Sequence, residues 1–95
     1  MASSEAYLNH VLGMLSDVEG ISHRKMMGEY LIYLDGEVIG GIYDDELLLK
    51  ADDRLDALLP DADKRYPYEG AKTVMSIVSI EDPRTVSELI EALRS

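Results

Sequence analysis

The sequence contains few side chains that could carry out covalent catalysis or bind a metal. It has no cysteine and two histidines, His10 and His23, and no serine stands in the Gly-x-Ser-x-Gly pattern of a hydrolase nucleophile. Zinc sites are built from clusters of cysteine and histidine, which this chain lacks. We therefore expect no catalytic residue and expect both histidines at the surface, with an enzyme on a cryptic site as an alternative.

Calcium and phosphate sites are also poorly matched. Asp61 and Asp63 are spaced like the first ligands of an EF-hand loop, but Tyr66 stands where that loop requires glycine and Lys72 where it requires glutamate. The glycine pair Gly40-Gly41 lacks the further glycines of dinucleotide-binding and P-loop motifs. We therefore expect neither a metal nor a cofactor.

The chain is strongly acidic, with a net charge of −10 from 19 acidic and 9 basic residues. Nucleic-acid binding draws most of its affinity from basic side chains, and anionic membranes also attract basic surfaces. A local basic run such as residues 23–25 would work against the field of the whole molecule. We expect no direct binding to nucleic acid or membrane. The first residues lack the basic and apolar regions of a signal peptide, so the expected location is cytoplasmic.

All six aromatic residues are tyrosines. Tyr30, Tyr33 and Tyr43 fall in a predicted hairpin and are expected to pack at the edge of the core. Tyr66 and Tyr68 fall in a predicted loop, and two interpretations stand open for them. They pack at the edge of the core, or they contribute to an interface, where an apolar ring with a polar tip is favoured.

The periodicity predicts a single domain over residues 1–95 that starts with a helix and a hairpin. The helix is capped by Ser3 or Ser4 and ended by Gly20. Strands over 30–34, 38–43 and 47–50 form an antiparallel meander, with Asp35-Gly36 as a two-residue turn. This turn would pair Tyr30 with Gly41, so that the tyrosine ring covers the glycine.

The second half of the chain predicts further helices and at least one strand. A short helix is capped by Asp52 or Asp53 and stopped by Pro60, and a loop follows over 61–70. A strand is predicted over 73–80, and a last helix begins at Asp82-Pro83 and runs to Leu93. An antiparallel sheet with flanking helices gives an α+β fold class.

Several segments together resemble the TfoX/Sxy N-terminal-domain family, and the resemblance covers nearly the whole chain. The most specific segment is Arg-Lys-Met-Met-Gly-Glu-Tyr at 24–30, and the others are 34–36, 40–45, 48–50 and 67–72. The common family form has phenylalanine and a second glycine where this chain has Met27 and Glu29, which indicates a stand-alone branch. The expected motif or interaction residues are Arg24, Lys25, Met27, Gly28, Tyr30, Gly41, Tyr43, Lys50 and Tyr68.

The resemblance implies an α-β-β-β-α-β-β-α fold of the secretion-chaperone-like kind, in which small acidic domains often form dimers. It also implies a relation to bacterial regulators of DNA-uptake competence, which act as coactivators beside a DNA-bound transcription factor and usually carry a second domain. We therefore expect a stand-alone, non-enzymatic protein-interaction module that forms a homodimer and binds an unknown protein partner. A small dimeric adaptor or chaperone for a client segment is the alternative.

Arg24 and Lys25 are expected to have different roles, because neighbouring side chains on a strand point to opposite faces. Arginine holds carboxylates bidentately, so Arg24 is expected to brace the fold against a helix carboxylate. Lys25 is expected to stay exposed and available to a partner.

Overall fold

The fold is an antiparallel six-stranded sheet with three helices packed against one of its faces. The computed structural model describes residues 4–50, 52–78, 80 and 83–94, within which these elements lie. They are α1 (Glu5–Met14), β1 (Ile21–Met26), β2 (Glu29–Leu34), β3 (Glu37–Tyr43), β4 (Glu46–Lys50), α2 (Asp53–Leu58), β5 (Lys64–Arg65), β6 (Met75–Val78) and α3 (Pro83–Ala92). The strand order is β1-β2-β3-β4-β6-β5, so the chain leaves β4, passes through α2 and β5, and returns beside β4 as β6.

The predicted α+β class and order of elements are confirmed, with one further strand. Residues 21–26, which precede the three strands of the predicted meander, form β1 and pair with all six residues of β2. The predicted loop over 61–70 contains the two-residue strand β5, which pairs with β6. The cap predicted at Asp82 lies outside the described residues.

Helix α1 is shorter than predicted. Its N-cap is Ser4, whose hydroxyl accepts a hydrogen bond from the backbone N–H of Tyr7 at 3.1 Å. The helix ends at Met14 rather than at Gly20, because the Leu15 N–H is shared between the carbonyls of residues 11 and 12 and the chain tightens into turns. Gly20 still adopts a positive φ of 85°, and it directs the chain into β1.

Three two-residue turns join the first four strands. The Asp35-Gly36 hairpin predicted from the sequence is confirmed, with φ angles of 52° and 87°. The turns at 27–28 and 44–45 also have positive φ at both central residues, which is the type I′ geometry that matches the twist of a hairpin. Aspartate and glycine suit these angles, whereas Met27, at φ 54°, is an unusual residue for them.

A β-bulge shifts the register between β2 and β3. Tyr33 pairs with Val38, as a two-residue turn at Asp35-Gly36 requires, but Ile32 pairs with Gly40, so that Ile39 is an extra residue. The predicted pairing of Tyr30 with Gly41 was therefore wrong by one position. Tyr30 pairs with Ile42, and the ring that packs over Gly41 is that of Tyr43, as described below.

The main core lies between the sheet and the helices. Alternate residues of β2, such as Ile32 and Leu34, face Leu8 and Val11 of α1 and Val86 of α3 in one buried cluster. Each such aliphatic side chain contributes about 2 kcal/mol when fully buried. None of the helices in the described part of the chain has the length and apolar character needed to cross a lipid bilayer.

A methionine- and tyrosine-lined groove on the open face

The face of the sheet opposite the helices, here called the open face, carries a second and smaller apolar cluster. Because strand side chains alternate, this face receives the residues between those of the main core. Tyr43, Leu48 and Met75 are buried there, with Leu31 and Ile77 packed against them. The segment 66–74 lies beside this cluster, and its Pro67 is buried. The open face is thus partly covered by a loop rather than by a helix.

Two adjoining cavities form a continuous groove along the open face. They have volumes of about 410 and 370 Å³ and share Leu31, Tyr43 and Tyr68 as walls. The first cavity is completed by the hairpin tip, with Met26, Met27, Glu29 and Tyr30. The second is completed mainly by β4, β6 and the 66–74 segment, including Lys50, Pro67, Lys72 and Met75.

The hairpin tip presents two exposed methionines to the groove. Met26 is 47% exposed and Met27 is 97% exposed. Met27 also holds the left-handed backbone conformation, which an unbranched non-glycine residue adopts at a cost of about 1 kcal/mol or more. A large apolar side chain that is fully exposed on an unfavourable backbone contributes nothing to the packing of this chain. Such residues cluster at sites selected for binding.

Two tyrosines form the middle of the groove. The ring centroids of Tyr43 and Tyr68 lie 6.2 Å apart at an angle of 45°. Burial raises the pKa of the Tyr43 hydroxyl, with smaller contributions from Tyr68 and Glu29. Gly41 makes room for this arrangement, since a Cβ there would collide with the Tyr30 carbonyl oxygen and lie 2.9 Å from the Tyr43 ring. Tyr68 is 60% exposed, so its outer surface faces the solvent in the groove.

Arg65 fixes the base of the 66–74 segment against the sheet. Its Nε donates to Glu46 Oε1 at 2.8 Å, and its Nη2 donates to the carbonyl oxygen of Tyr43 at 3.0 Å. Its Nη1 donates to the carbonyl oxygen of Tyr66, also at 3.0 Å. One guanidinium therefore ties β3, β4 and β5 together at the end of the groove, and it positions the loop that carries Tyr68.

The bracing role predicted for Arg24 was wrong. Arg24 is exposed, and no carboxylate in the described part of the chain lies within ion-pair distance of it. Lys25, Lys50 and Lys72 are likewise exposed without an ion pair to any described residue. The pairing of Arg24 with Leu31 and of Lys50 with Met75 places both cations on the open face, whereas Lys25 lies on the other face of β1.

The structure brings together most of the residues expected from the motif. Met27, Tyr43, Lys50 and Tyr68 line the groove, whereas Tyr30 borders it but is buried in the main core on the helix side of the sheet. Gly28 completes the turn below Met27, Gly41 lies under the Tyr43 ring and Arg24 flanks Leu31. Of the expected residues, Lys25 and its pairing partner Tyr30 lie on the other face of the sheet. Sequence reasoning missed Leu31, Met75 and Lys72, although the uninterrupted apolar run of β2 is typical of a strand covered on both faces and was a signal for Leu31.

The described residues offer no arrangement suited to metal binding. His10 and His23 are both exposed, as predicted, and they lie on α1 and β1 respectively. No three histidine, aspartate or glutamate side chains within the described ranges are placed so that they could hold one ion. Among the described residues that line it, the groove has apolar walls, tyrosine hydroxyls, one carboxylate and two lysines.

These features define a class of small α+β domain with helices on one face of an antiparallel sheet and an apolar, tyrosine-lined groove on the other. The chain matches the TfoX N-terminal domain family over residues 13–91 and belongs to that family. It is also 31% identical over 72 residues to an uncharacterized 12.7 kDa protein in the trpE 5′ region of Spirochaeta aurantia. The match covers 76% of this chain and 63% of that relative, so the chain spans under two thirds of the relative's length. No solved structure matches the chain.

Proposed function

We propose that this protein is a non-enzymatic, cytoplasmic interaction module that binds a partner protein through the groove on the open face. The observation that carries the proposal is the 97% exposure of Met27 on a left-handed turn at the mouth of an apolar groove. Methionine is flexible and polarisable, so it adapts to the apolar surface of a partner. Tyr43 and Tyr68 add the aromatic character that is enriched at protein interfaces.

The form of the groove favours a macromolecular partner over a small molecule. Small-molecule sites enclose most of the surface of their ligand. Here two of the walls, Met27 and Tyr68, are themselves mostly exposed, so a ligand of modest size would remain open to water. The absence of cysteine is compatible with a reducing compartment and supports the cytoplasmic part of the proposal.

The proposal is tested by capture from a native lysate with matched variants. The wild type, Met27→Glu and Leu58→Glu are immobilised, and bound proteins are quantified by mass spectrometry. Leu58 is the control because it is also an exposed apolar residue, at 52%, and lies in α2. The expected result is a set of proteins lost with Met27→Glu and kept with Leu58→Glu. If Met27→Glu captures the same proteins as the wild type, partners do not bind through the groove and the proposal is refuted.

A dimeric adaptor or chaperone is the second candidate function, and the position of β1 supports it. This strand forms one edge of the sheet, and alternate backbone N–H and C=O groups of an edge strand are open to an added strand. A second copy or an extended client segment would satisfy them. Residues 23–25 are basic, which disfavours unselective pairing at this edge.

The partner is proposed to be a protein rather than DNA. The net charge of −10 opposes a phosphate backbone, so we expect no binding of a random duplex in the micromolar range at physiological salt. A gel-shift titration with that duplex measures this directly. The relation to competence coactivators makes a transcription regulator one class of partner to look for among the captured proteins.

A further inference from the structure

We infer that the segment bound in the groove is a short, extended and acidic peptide, with a large apolar side chain at one end and carboxylates at the other. This inference rests on the proposed function, since it names the chemistry of the partner at the same site. Its basis is that the two ends of the groove differ in charge and that the groove runs along the strands.

The end of the groove at the hairpin tip is suited to an apolar side chain. Its walls include Met26, Met27 and Leu31. The charged wall at this end is Glu29, and the backbone N–H of Asp44 donates to its carboxylate at 2.9 Å. This carboxylate is therefore already bonded within the fold, and an acidic group of a ligand would be repelled from this end.

The other end of the groove is suited to carboxylates. Lys50 and Lys72 line the second cavity, and no aspartate or glutamate is among its described walls. Both lysines are exposed and form no ion pair with a described residue, although this chain has twice as many acidic as basic residues. Arg24 adds a third cation on the same face, across the sheet from Lys50.

The length of the groove sets the length of the segment. The two cavities extend along β2 from the row of Glu29 to the row in which Tyr33 pairs with Val38. Four residue steps on a strand span about 14 Å, which an extended peptide of four or five residues covers. Because side chains of an extended segment alternate between two faces, an apolar residue and an acidic residue four positions apart would reach the two ends together.

A second copy of this chain is a poorer occupant. If the open faces of two copies met, the cationic ends of both grooves would lie within the same interface, together with Arg24 of each copy. Like charges that are brought together at an interface oppose association. An acidic peptide instead supplies the negative charge that the lysine end of the groove lacks, so local charge complementarity favours a peptide of a different protein.

Selection from a display library of random seven-residue peptides tests this inference. The targets are the wild type, Lys50→Glu, Lys72→Glu and Lys25→Glu. The last variant is the control, because Lys25 is equally exposed and changes the net charge equally but lies on the other face of β1. Enriched peptides are then synthesised with a fluorophore, and their Kd values are measured by anisotropy.

The expected result is enrichment of peptides with Leu, Ile, Met, Phe or Trp four positions from Asp or Glu. Lys50→Glu and Lys72→Glu should each weaken an enriched peptide on the order of tenfold, because one attraction becomes a repulsion. Lys25→Glu should weaken it by less than about twofold, which reflects screened long-range charge alone. Selection on Lys50→Glu should also shift the enriched residues from acidic towards neutral or basic.

Three other outcomes would overturn the inference in distinguishable ways. Enrichment of apolar peptides without acidic residues would refute the acidic requirement, and so would equal losses of affinity with Lys25→Glu and Lys50→Glu. If Met27→Glu still abolishes binding in these cases, the groove remains the binding site. No enrichment at all would indicate a folded partner surface or a second copy in the groove. Sizing of the wild type and of Met27→Glu separates these, because only a dimer formed through the groove would dissociate in that variant. Acidic peptides whose affinity is unaffected by Met27→Glu would refute both this inference and the groove.

Discussion

Replacement of Met27 by asparagine is expected to stabilise the fold and to weaken partner binding at the same time. The Met27 side chain is 97% exposed, so its removal loses almost no packing. Its backbone has a φ of 54°, a region that costs an ordinary L-residue about 1 to 2 kcal/mol and that asparagine tolerates much better. Asn-Gly is also the favoured pair for a type I′ turn, and Gly28 is already in place.

The expected gain is about 1 kcal/mol in the free energy of unfolding. For a domain of this size, that gain corresponds to a rise in Tm of about 4 to 8 °C, which a thermal melt followed by circular dichroism resolves easily. Binding of the captured partner, measured on the same sample, should fall because the apolar anchor at the groove mouth is gone. Stability and binding would then change in opposite directions.

Leu58→Asn serves as the control for loss of an exposed apolar residue. Leu58 lies in α2, so the lower helix propensity of asparagine alone should make the variant less stable by about 0.5 kcal/mol. Partner binding should be unchanged. A lower Tm for Met27→Asn would mean that the methionine stabilises this chain after all. Unchanged binding would mean that its exposure has no role at the groove.

Three further predictions concern the sheet and its assembly. Gly41→Ala should destabilise the fold by about 1 to 3 kcal/mol, because the added Cβ would collide with the Tyr30 carbonyl oxygen. Gly13→Ala has open space around it in α1 and should stabilise the fold by about 0.5 to 1 kcal/mol, and urea titration measures both changes. Arg65→Met should cost about 1 to 3 kcal/mol in the same assay, whereas Arg24→Met should stay within about 0.5 kcal/mol, and equal effects would contradict the assigned bracing role. Light scattering on a sizing column should give twice the 10.6 kDa chain mass, and a clean monomer at tens of micromolar, about tenfold above a Kd near 10⁻⁶ M, would exclude the homodimer.

The element order was predictable because local signals in this chain agree with one another. Asp35-Gly36 fixes a hairpin, Ser4 and Asp52 cap helices, and Leu89 and Ile90 fall on one face of α3. β1 was less visible because five of its six residues are exposed, so that an edge strand lacks the apolar alternation on which a prediction depends. The bulge at Ile39 was hidden for a different reason. Nothing in a single sequence distinguishes an extra apolar residue from a paired one.

The groove was predictable in its residues but not in its shape. The motif at 24–30 contributes Met26, Met27 and Glu29, but the segment 66–74 reaches the groove through contacts distant in sequence. Arg65 illustrates the difficulty, since nothing in its neighbours marks it as the residue that bonds Glu46 and the Tyr43 carbonyl. A bracing role was predicted for Arg24 because arginine holds carboxylates bidentately, but which arginine braces the fold depends on the carboxylates and carbonyl groups that the fold brings near it.

The central claim, that partners dock on the open face, is tested most directly through the methionines of the chain. Met26 and Met27 lie at the groove, whereas Met14 lies on the helix side, packed against the main core. With the methionine methyl groups labelled with ¹³C, one NMR spectrum reports on both faces as the captured partner is added. We predict that the signals of Met26 and Met27 shift or broaden in proportion to the bound fraction while that of Met14 stays in place. A shift of Met14 without a change at Met26 and Met27 would place the partner on the helices and contradict the claim.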